Sequence, residues 1–325
     1  MLSVTKNRQS ELAIQKMAQR AFPDEGIWGI AEMEQGLFNA AYQVTFQNGR
    51  KAVLKIAPSP QTPVMRYEKG IMRAEVAAMR LVRKYTEVPV PFVYYEDFTH
   101  TLCDADYFFM EFLEGERFDR KKNGLTKEET WKLETSLGKY NSRINRITGR
   151  KFGYLAQPEK QKESWQEAFL LLVDDLLRDG EEHLVALPLS YRDLRAVFEA
   201  YGDCLREVTQ PCLVHWDLWD GNVLIRDGRI SGILDLERAL WGDPLMEYYF
   251  SGQYDNAAIL QGNGQSPARS PHAAARRTLY NLYLYLVMII EYAFRGYENQ
   301  GQKIWAERKI RNELNRLKDL WMRKE

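Results

Sequence analysis

The sequence predicts an α+β chain of two lobes: a five-stranded antiparallel sheet with one helix, then a mainly helical part. Three observations carry this. The first third alternates short runs rich in β-formers with tight-turn signals such as Asn48-Gly49. The remainder shows helical spacing of apolar residues over five long segments. A small hairpin, marked by Asp227-Gly228, interrupts those helices and has Asp and Asn residues on either side. The expected division is 1–113 and 114–325.

The N-terminal residues are polar and read as an amphipathic helix, without the apolar core of a signal peptide. Strands are expected from Trp28 to Glu34, Ala40 to Gln47 and Lys51 to Ala57, the last stopped by Pro58. Tyr67 to Tyr85 is rich in Ala, Met, Leu, Glu and Arg, which favours a helix. Phe92 to Asp97 and Tyr107 to Phe112 complete the sheet, and Gly115 offers the change of direction.

Helices are then expected over Lys127 to Arg146, Ser164 to Glu182, Arg192 to Val208, Ala273 to Arg295 and Lys303 to Arg323. Val223 to Ile225 and Ile230 to Leu234 form the interposed hairpin. Leu279 to Phe294 is almost wholly apolar and carries Asn281 and Glu291. It falls short of the roughly 20 apolar residues that a span needs, so it reads as a core helix. Gln261 to Ser270 reads as a mobile loop. The last helix has one apolar face, Ile310, Leu314, Leu317 and Trp321, with Leu320 beside it. That face suits packing on the large lobe or a dimer contact.

Composition narrows the function classes. The 45 basic and 45 acidic residues balance, which argues against a nucleic-acid protein. Cys103, Cys204 and Cys212 give no disulfide framework and suit the reducing cytoplasm. No membrane segment is expected.

The chemistry concentrates in His215, Asp217, Asn222 and Asp235. Asp217 lies five residues before Asn222, and Asp235 thirteen after it, at the end of an apolar strand. Phosphoryl transfer needs a carboxylate to take the proton of the attacking hydroxyl. It also needs a neutral oxygen and a second carboxylate to hold Mg²⁺ against the phosphates. A loop followed by a hairpin brings such groups to one edge. Each residue singly is also an ordinary turn former.

HWDLWDGN (215–222) followed by ILDLE (233–237) resembles the catalytic and metal-binding segments of the aminoglycoside phosphotransferase and choline kinase superfamily, distant relatives of protein kinases. The resemblance implies a two-lobed protein-kinase-like fold, ATP and Mg²⁺ as cofactors, and a small-molecule hydroxyl as acceptor. It implies that Asp217 is the catalytic base, that His215 braces the loop, and that Asn222 and Asp235 bind Mg²⁺. Lys55 in VLKI matches the lysine on the ATP phosphates, and Glu75 its ion-pair partner, with Glu68 the competitor on the same helix. Gly36 and Asn39 fall where the family has its nucleotide loop. Met110 would border the adenine, and backbone groups of Glu111 and Leu113 would face its edge. Asp243, in WGDP, would brace the loop or cap the next helix, and Asn145 is given no role.

Departures from the pattern also inform. Trp216 stands at the middle of His-x-Asp, where it cannot pair with phosphate, and DLE replaces Asp-Phe-Gly. Both disfavour a protein kinase. The acceptor stays open. Acidic residues between Asp174 and Glu182 would suit a polycation, or form a solvated face. Trp216, Trp219, Trp241, Tyr248 and Tyr249 would suit a quaternary ammonium, or form core. Sugars are a further class, and a non-catalytic nucleotide-binding protein is the alternative outside enzymes.

Overall fold

The structure is a computed structural model that describes residues 5–33, 38–247, 256–264, 270–296 and 301–322. Gly36, Tyr248 and Tyr249 lie outside the described residues, as does the side chain of Trp321.

The N-terminal part is built as the alternation predicts. Strands β1 (Ile27–Glu32), β2 (Ala40–Phe46), β3 (Lys51–Ile56), β4 (Val93–Asp97) and β5 (Tyr107–Glu111) form one antiparallel sheet in the order β1-β2-β3-β5-β4. Asn48 and Gly49 turn the chain between β2 and β3, with Gly49 at φ 82°, a left-handed conformation open to glycine. Strand β5 is apolar up to its last residue, Glu111, because both its faces are covered. Phe108 and Met110 point to one side, Tyr107 and Phe109 to the other.

Helix α1 (Glu11–Ala21) covers the outer face with Ile14, Met17 and Ala18, and Ser10 caps it by accepting from the Ala13 N–H. An isolated helix of this length is marginal in water. Burial of Ile14 and Met17 supplies ~1.5–3 kcal/mol each, so packing decides that it forms. Helix α2 (Ile71–Tyr85) covers the inner face with Met72, Val76 and Met79. It begins at Ile71 rather than at Tyr67, because Gly70 sits at φ 73° and breaks the helical run. Arg66–Glu68 instead forms a separate 3-10 turn.

After Gly115 the chain runs through β6 (Glu116–Arg117), α3 (Phe118–Lys121) and α4 (Lys127–Asn145), the last opened by a Thr126/Glu129 capping box. There follow β7 (Gly153–Tyr154), α5 (Trp165–Glu182) and α6 (Tyr191–Tyr201). Strands β8 (Cys212–Val214), β9 (Val223–Arg226), β10 (Arg229–Ile233) and β11 (Leu240–Gly242) come next. They make two small sheets, β10-β9-β6 and β7-β11-β8. Helices α7 (Ala257–Asn263), α8 (Pro271–Arg295) and α9 (Gly301–Met322) close the chain.

Residues 261–263, expected in a loop, are the last turn of α7. That helix lies so close to α4 that a Cβ on Gly138 would stand 2.1 Å from the Ile259 carbonyl oxygen. The predicted helix from Arg192 stops at Tyr201, and Gly202–Glu207 continues as a 3-10 turn.

The apolar run in α8 is buried on nearly all sides, and α9 packs on it through Ile310 and Leu317. No helix of the described residues is long and apolar enough to cross a membrane. Phe38, Met65, Tyr67 and Ile71 pack into the same apolar cluster as Trp216 and α8. The segment between β3 and α2 is therefore seated on the C-terminal helices.

Candidate active site

The loop from His215 to Asn222 leaves the end of β8 and enters β9. His215 is fully buried. One ring nitrogen, Nε2, is 3.0 Å from the Leu234 carbonyl oxygen, and Nδ1 accepts from the Asp217 N–H at 3.3 Å. That pattern fits a neutral ring with its proton on Nε2. Burial moves its pKa down, in the same direction. His215 thus ties the loop to the residue before Asp235.

Trp216 holds a left-handed backbone at φ 61°, unusual for a bulky residue. Its ring stacks on Tyr283 at 5.3 Å and meets Tyr67 edge-on at 6.1 Å. Glu247 fixes this kink: its two carboxylate oxygens accept from the His215 and Trp216 N–H groups at 2.9 and 3.0 Å. Asn145 donates to Glu247 at 3.0 Å and to the Leu213 carbonyl at 2.8 Å. Among the described residues Asp243 is not hydrogen-bonded to the loop. It caps the next turn through the Leu245 N–H and anchors Tyr280 and Arg276 of α8.

Asp217 and Asn222 face one another. The Asn222 amide nitrogen donates to the Asp217 backbone oxygen at 2.9 Å and to its carboxylate at 3.2 Å. Burial pushes the Asp217 carboxyl up to about 7; the Arg238 charge opposes this, while Glu237 and Asp235 add to it.

Asp235 follows β10 in a left-handed conformation, φ 57°. Its carboxylate meets the Lys55 ammonium at 2.6 Å, and Lys55 meets Glu75 of α2 at the same distance. Glu75 and Asp235 are 20 and 180 positions from Lys55 in sequence, and the sheet, α2 and the hairpin converge to join the three. Glu68 is not the partner of Lys55; it pairs with Arg295 of α8. Burial pushes Glu75 up to about 8, with Lys55 pulling it back. Asp235 moves the other way: burial raises it, but the charge and hydrogen bond of Lys55, with the charges of His215 and Arg117, together hold it below the usual carboxylate range.

The remaining predicted residues are arranged around this centre. Asn39 is buried and donates to Glu237 at 2.7 Å, linking the start of β2 to the turn after Asp235. Met110 is buried beside Val53, on the α2 side of the sheet with Lys55. The Glu111 N–H donates to the Phe92 carbonyl at 2.8 Å. Leu113 lies over Gly232 of β10.

Two expected acceptor features are engaged elsewhere. Every acidic residue of the 174–182 stretch is ion-paired: Asp174 and Glu181 with Arg195, Asp175 with Lys160, Asp179 and Glu182 with Arg66. The Trp216 ring carries the Arg238 guanidinium at 5.8 Å, and the Trp219 ring carries that of Arg117 at 5.5 Å. Trp241 packs partly buried against the core.

The fold is that of kinase-like proteins. The sequence matches the phosphotransferase enzyme family, APH, over residues 29–275, and the chain belongs to that family. It is an enzyme of the small-molecule kinase class. Among proteins with curated descriptions, none matches significantly.

Solved structures share the fold. A Haemophilus somnus 129PT protein bearing a fructosamine-3-kinase designation is 19% identical, with a TM-score of 0.68, covering 93% of this chain and 96% of its own. A thermostable mutant of aminoglycoside phosphotransferase APH(4)-Ia is 18% identical, with a TM-score of 0.64 and coverage of 92% and 98%. Another mutant of that enzyme, in ternary complex with AMP-PNP and hygromycin B, is 17% identical, with a TM-score of 0.65 and coverage of 93% and 98%.

Proposed function

We propose that the chain transfers the γ-phosphate of ATP to a hydroxyl of a small molecule, with Mg²⁺, in the cytoplasm. The observation that carries the proposal is the convergence of Lys55, Glu75 and Asp235 beside the Asp217–Asn222 pair.

In this reading, 1–113 is the nucleotide-binding lobe and 114–325 the catalytic lobe. Lys55, held by Glu75, contacts the phosphates. Asp235 and Asn222 hold the metal. The donor chemistry fits: a carboxylate and an amide are hard oxygen donors, and Mg²⁺ takes only one or two protein ligands beside phosphate oxygens. Among the described residues no group of three or more His, Cys, Asp or Glu side chains makes a cage for another metal. The Asp235 side chain is 40% exposed, and the Asn222 nitrogen points at Asp217, which leaves its amide oxygen for the metal. When bound, the ion would neutralise charge developing on the phosphates.

Asp217 accepts the proton of the attacking hydroxyl, and Asn222 orients it. His215, Glu247 and Asn145 hold the loop in which it sits. Gly36 and Asn39 belong to the nucleotide loop, and Met110 borders the base with the backbone at Glu111 and Leu113.

The acceptor proposed is a sugar-like hydroxyl compound. Of the solved structures that share the fold, one carries a fructosamine-3-kinase designation and another, an aminoglycoside phosphotransferase, holds hygromycin B. The 174–182 carboxylates are neutralised by the chain's own cations, which weighs against their binding a polycation. Arg238 and Arg117 cover two of the aromatic rings a choline-type ligand would need. A phosphotransfer screen with Mg-ATP across sugars, amino alcohols and aminoglycosides tests the proposal. Incorporation into choline alone would contradict the choice of acceptor.

A further inference from the structure

Four charged side chains from three separate elements form one buried chain. Glu68, in the turn before α2, accepts from Arg295 of α8. Arg295 also donates to Glu291, one turn earlier on the same helix. Glu291 in turn accepts from Arg238 at 2.8 Å, and Arg238 stands three residues after Asp235. Tyr67 adds a weaker bond to Glu291 at 3.3 Å. The Arg295 and Glu68 side chains are 4% and 1% exposed, those of Arg238 and Glu291 16% each.

Stability alone does not account for such a chain. Removing charges from water takes back most of what their pairing gains, and apolar replacement of buried ion pairs is often neutral or stabilising. The chain's ends suggest another use. At one end, Glu68 also accepts from the Met65 N–H at 2.8 Å and so closes the turn that leads into α2 and Glu75. At the other, Arg238 lies against the rings of Trp216 and Tyr67 in the turn that begins at Asp235. Glu291 is kept ionised: burial raises its pKa, but Arg238 and Arg295 outweigh burial and hold it below the ordinary carboxylate range.

We propose that Glu291 and Arg295 of α8 are positioning residues for phosphoryl transfer, fixing through Arg238 and Glu68 the spacing between the Asp235 turn and the helix that carries Glu75. The proposal rests on the kinase reading above. It assigns the far side of the active site to a helix that contributes no group to the Lys55–Asp235 centre.

The test is the double variant Glu291→Leu with Arg238→Met, which removes one pair and leaves Arg295 with Glu68. Three quantities are read on the full chain: melting temperature, and kcat and KM for Mg-ATP hydrolysis without an acceptor. Apolar replacement should leave melting at or above that of the wild type. Misplacement of the reacting groups should lower kcat at least ~10-fold, with KM within about threefold. A double variant that melts normally and keeps kcat within about twofold overturns the proposal. If that variant does not fold, Arg295→Lys serves, because a lysine keeps the charge but its ammonium falls one bond short of the Arg295 Nη2 that meets both carboxylates. It should show the same selective loss of kcat, and unchanged kcat would again overturn the proposal. Failure of the wild type itself to bind Mg-ATP would instead remove the kinase reading, and the two failures are told apart by that control.

Discussion

Replacing Glu247 with alanine tests how the catalytic loop is held. The Glu247 carboxylate is 1% exposed and accepts three hydrogen bonds, from the N–H groups of His215 and Trp216 and from the Asn145 amide. The substitution leaves three buried donors without an acceptor. At the lower bound of ~1 kcal/mol for each orphaned buried group, the loss is ~3 kcal/mol. For a chain of this size that corresponds to a melting temperature lower by ~6 °C, at ~2 °C per kcal/mol. Trp216 also loses the bond that holds its left-handed backbone, so the loop relaxes and Asp217 moves with it. Turnover should fall by ~10²-fold, the cost of misplacing a reacting group by about 1 Å. Glu247→Gln keeps one acceptor oxygen but turns an NH₂ group toward the other backbone N–H, so it should also destabilise, by less. Thermal melting by circular dichroism and Mg-ATP turnover are the assays. An alanine variant that melts within about 2 °C of the wild type and keeps its turnover would refute the reasoning.

Other outcomes follow from the same geometry. Asp217, raised to about 7 chiefly by burial, must be ionised to act as a base, so kcat/KM should fall as pH drops below about 7 and level off above it; a flat profile between pH 6 and 8 would contradict that role. Lys55→Met leaves Glu75 buried without its counter-charge, which costs ~3–5 kcal/mol. Glu75 already has a raised pKa of about 8, so this loss should ease as pH falls and the carboxyl takes up a proton; melting curves at pH 6 and 9 would show the larger deficit at pH 9. Gly138→Ala drives a Cβ into the Ile259 carbonyl and should cost ~1–3 kcal/mol by prying α7 from α4, read as a lower melting temperature with kcat unchanged.

Local signals in the sequence reached as far as groups whose partners lie nearby or whose spacing is stereotyped. The two hairpin turns, the five strands of the large sheet and the gathering of Asp217 and Asn222 at one edge were all legible in this way. So was His215 as a brace: its bond to Leu234 joins the two motif segments directly. Glu75 was favoured over Glu68 by pattern alone, and the structure adds the reason, since Glu68 is engaged by Arg295 more than two hundred residues away.

Long-range polar partners left no local trace. Asn145 and Glu247 are about a hundred residues apart, and only the fold brings them to the loop. The acidic stretch from Asp174 stayed open between a ligand site and a solvated face because Arg66, Lys160 and Arg195, which pair with it, come from other elements. Strands β6, β7, β8 and β11 are two or three residues long, too short for an alternation to show. The start of α2 was misplaced because the left-handed Gly70 outweighs the helix-forming residues before it.

The central claim is that Asp217 serves as the base in transfer of phosphate to a small-molecule hydroxyl. Its most direct test is transfer of the labelled γ-phosphate of ATP by wild type and Asp217→Asn, with nucleotide binding measured alongside. The account predicts labelled small-molecule product from the wild type. It predicts a variant that binds Mg-ATP with similar affinity and turns over ~10²–10⁴-fold more slowly. Undiminished transfer by Asp217→Asn would contradict it.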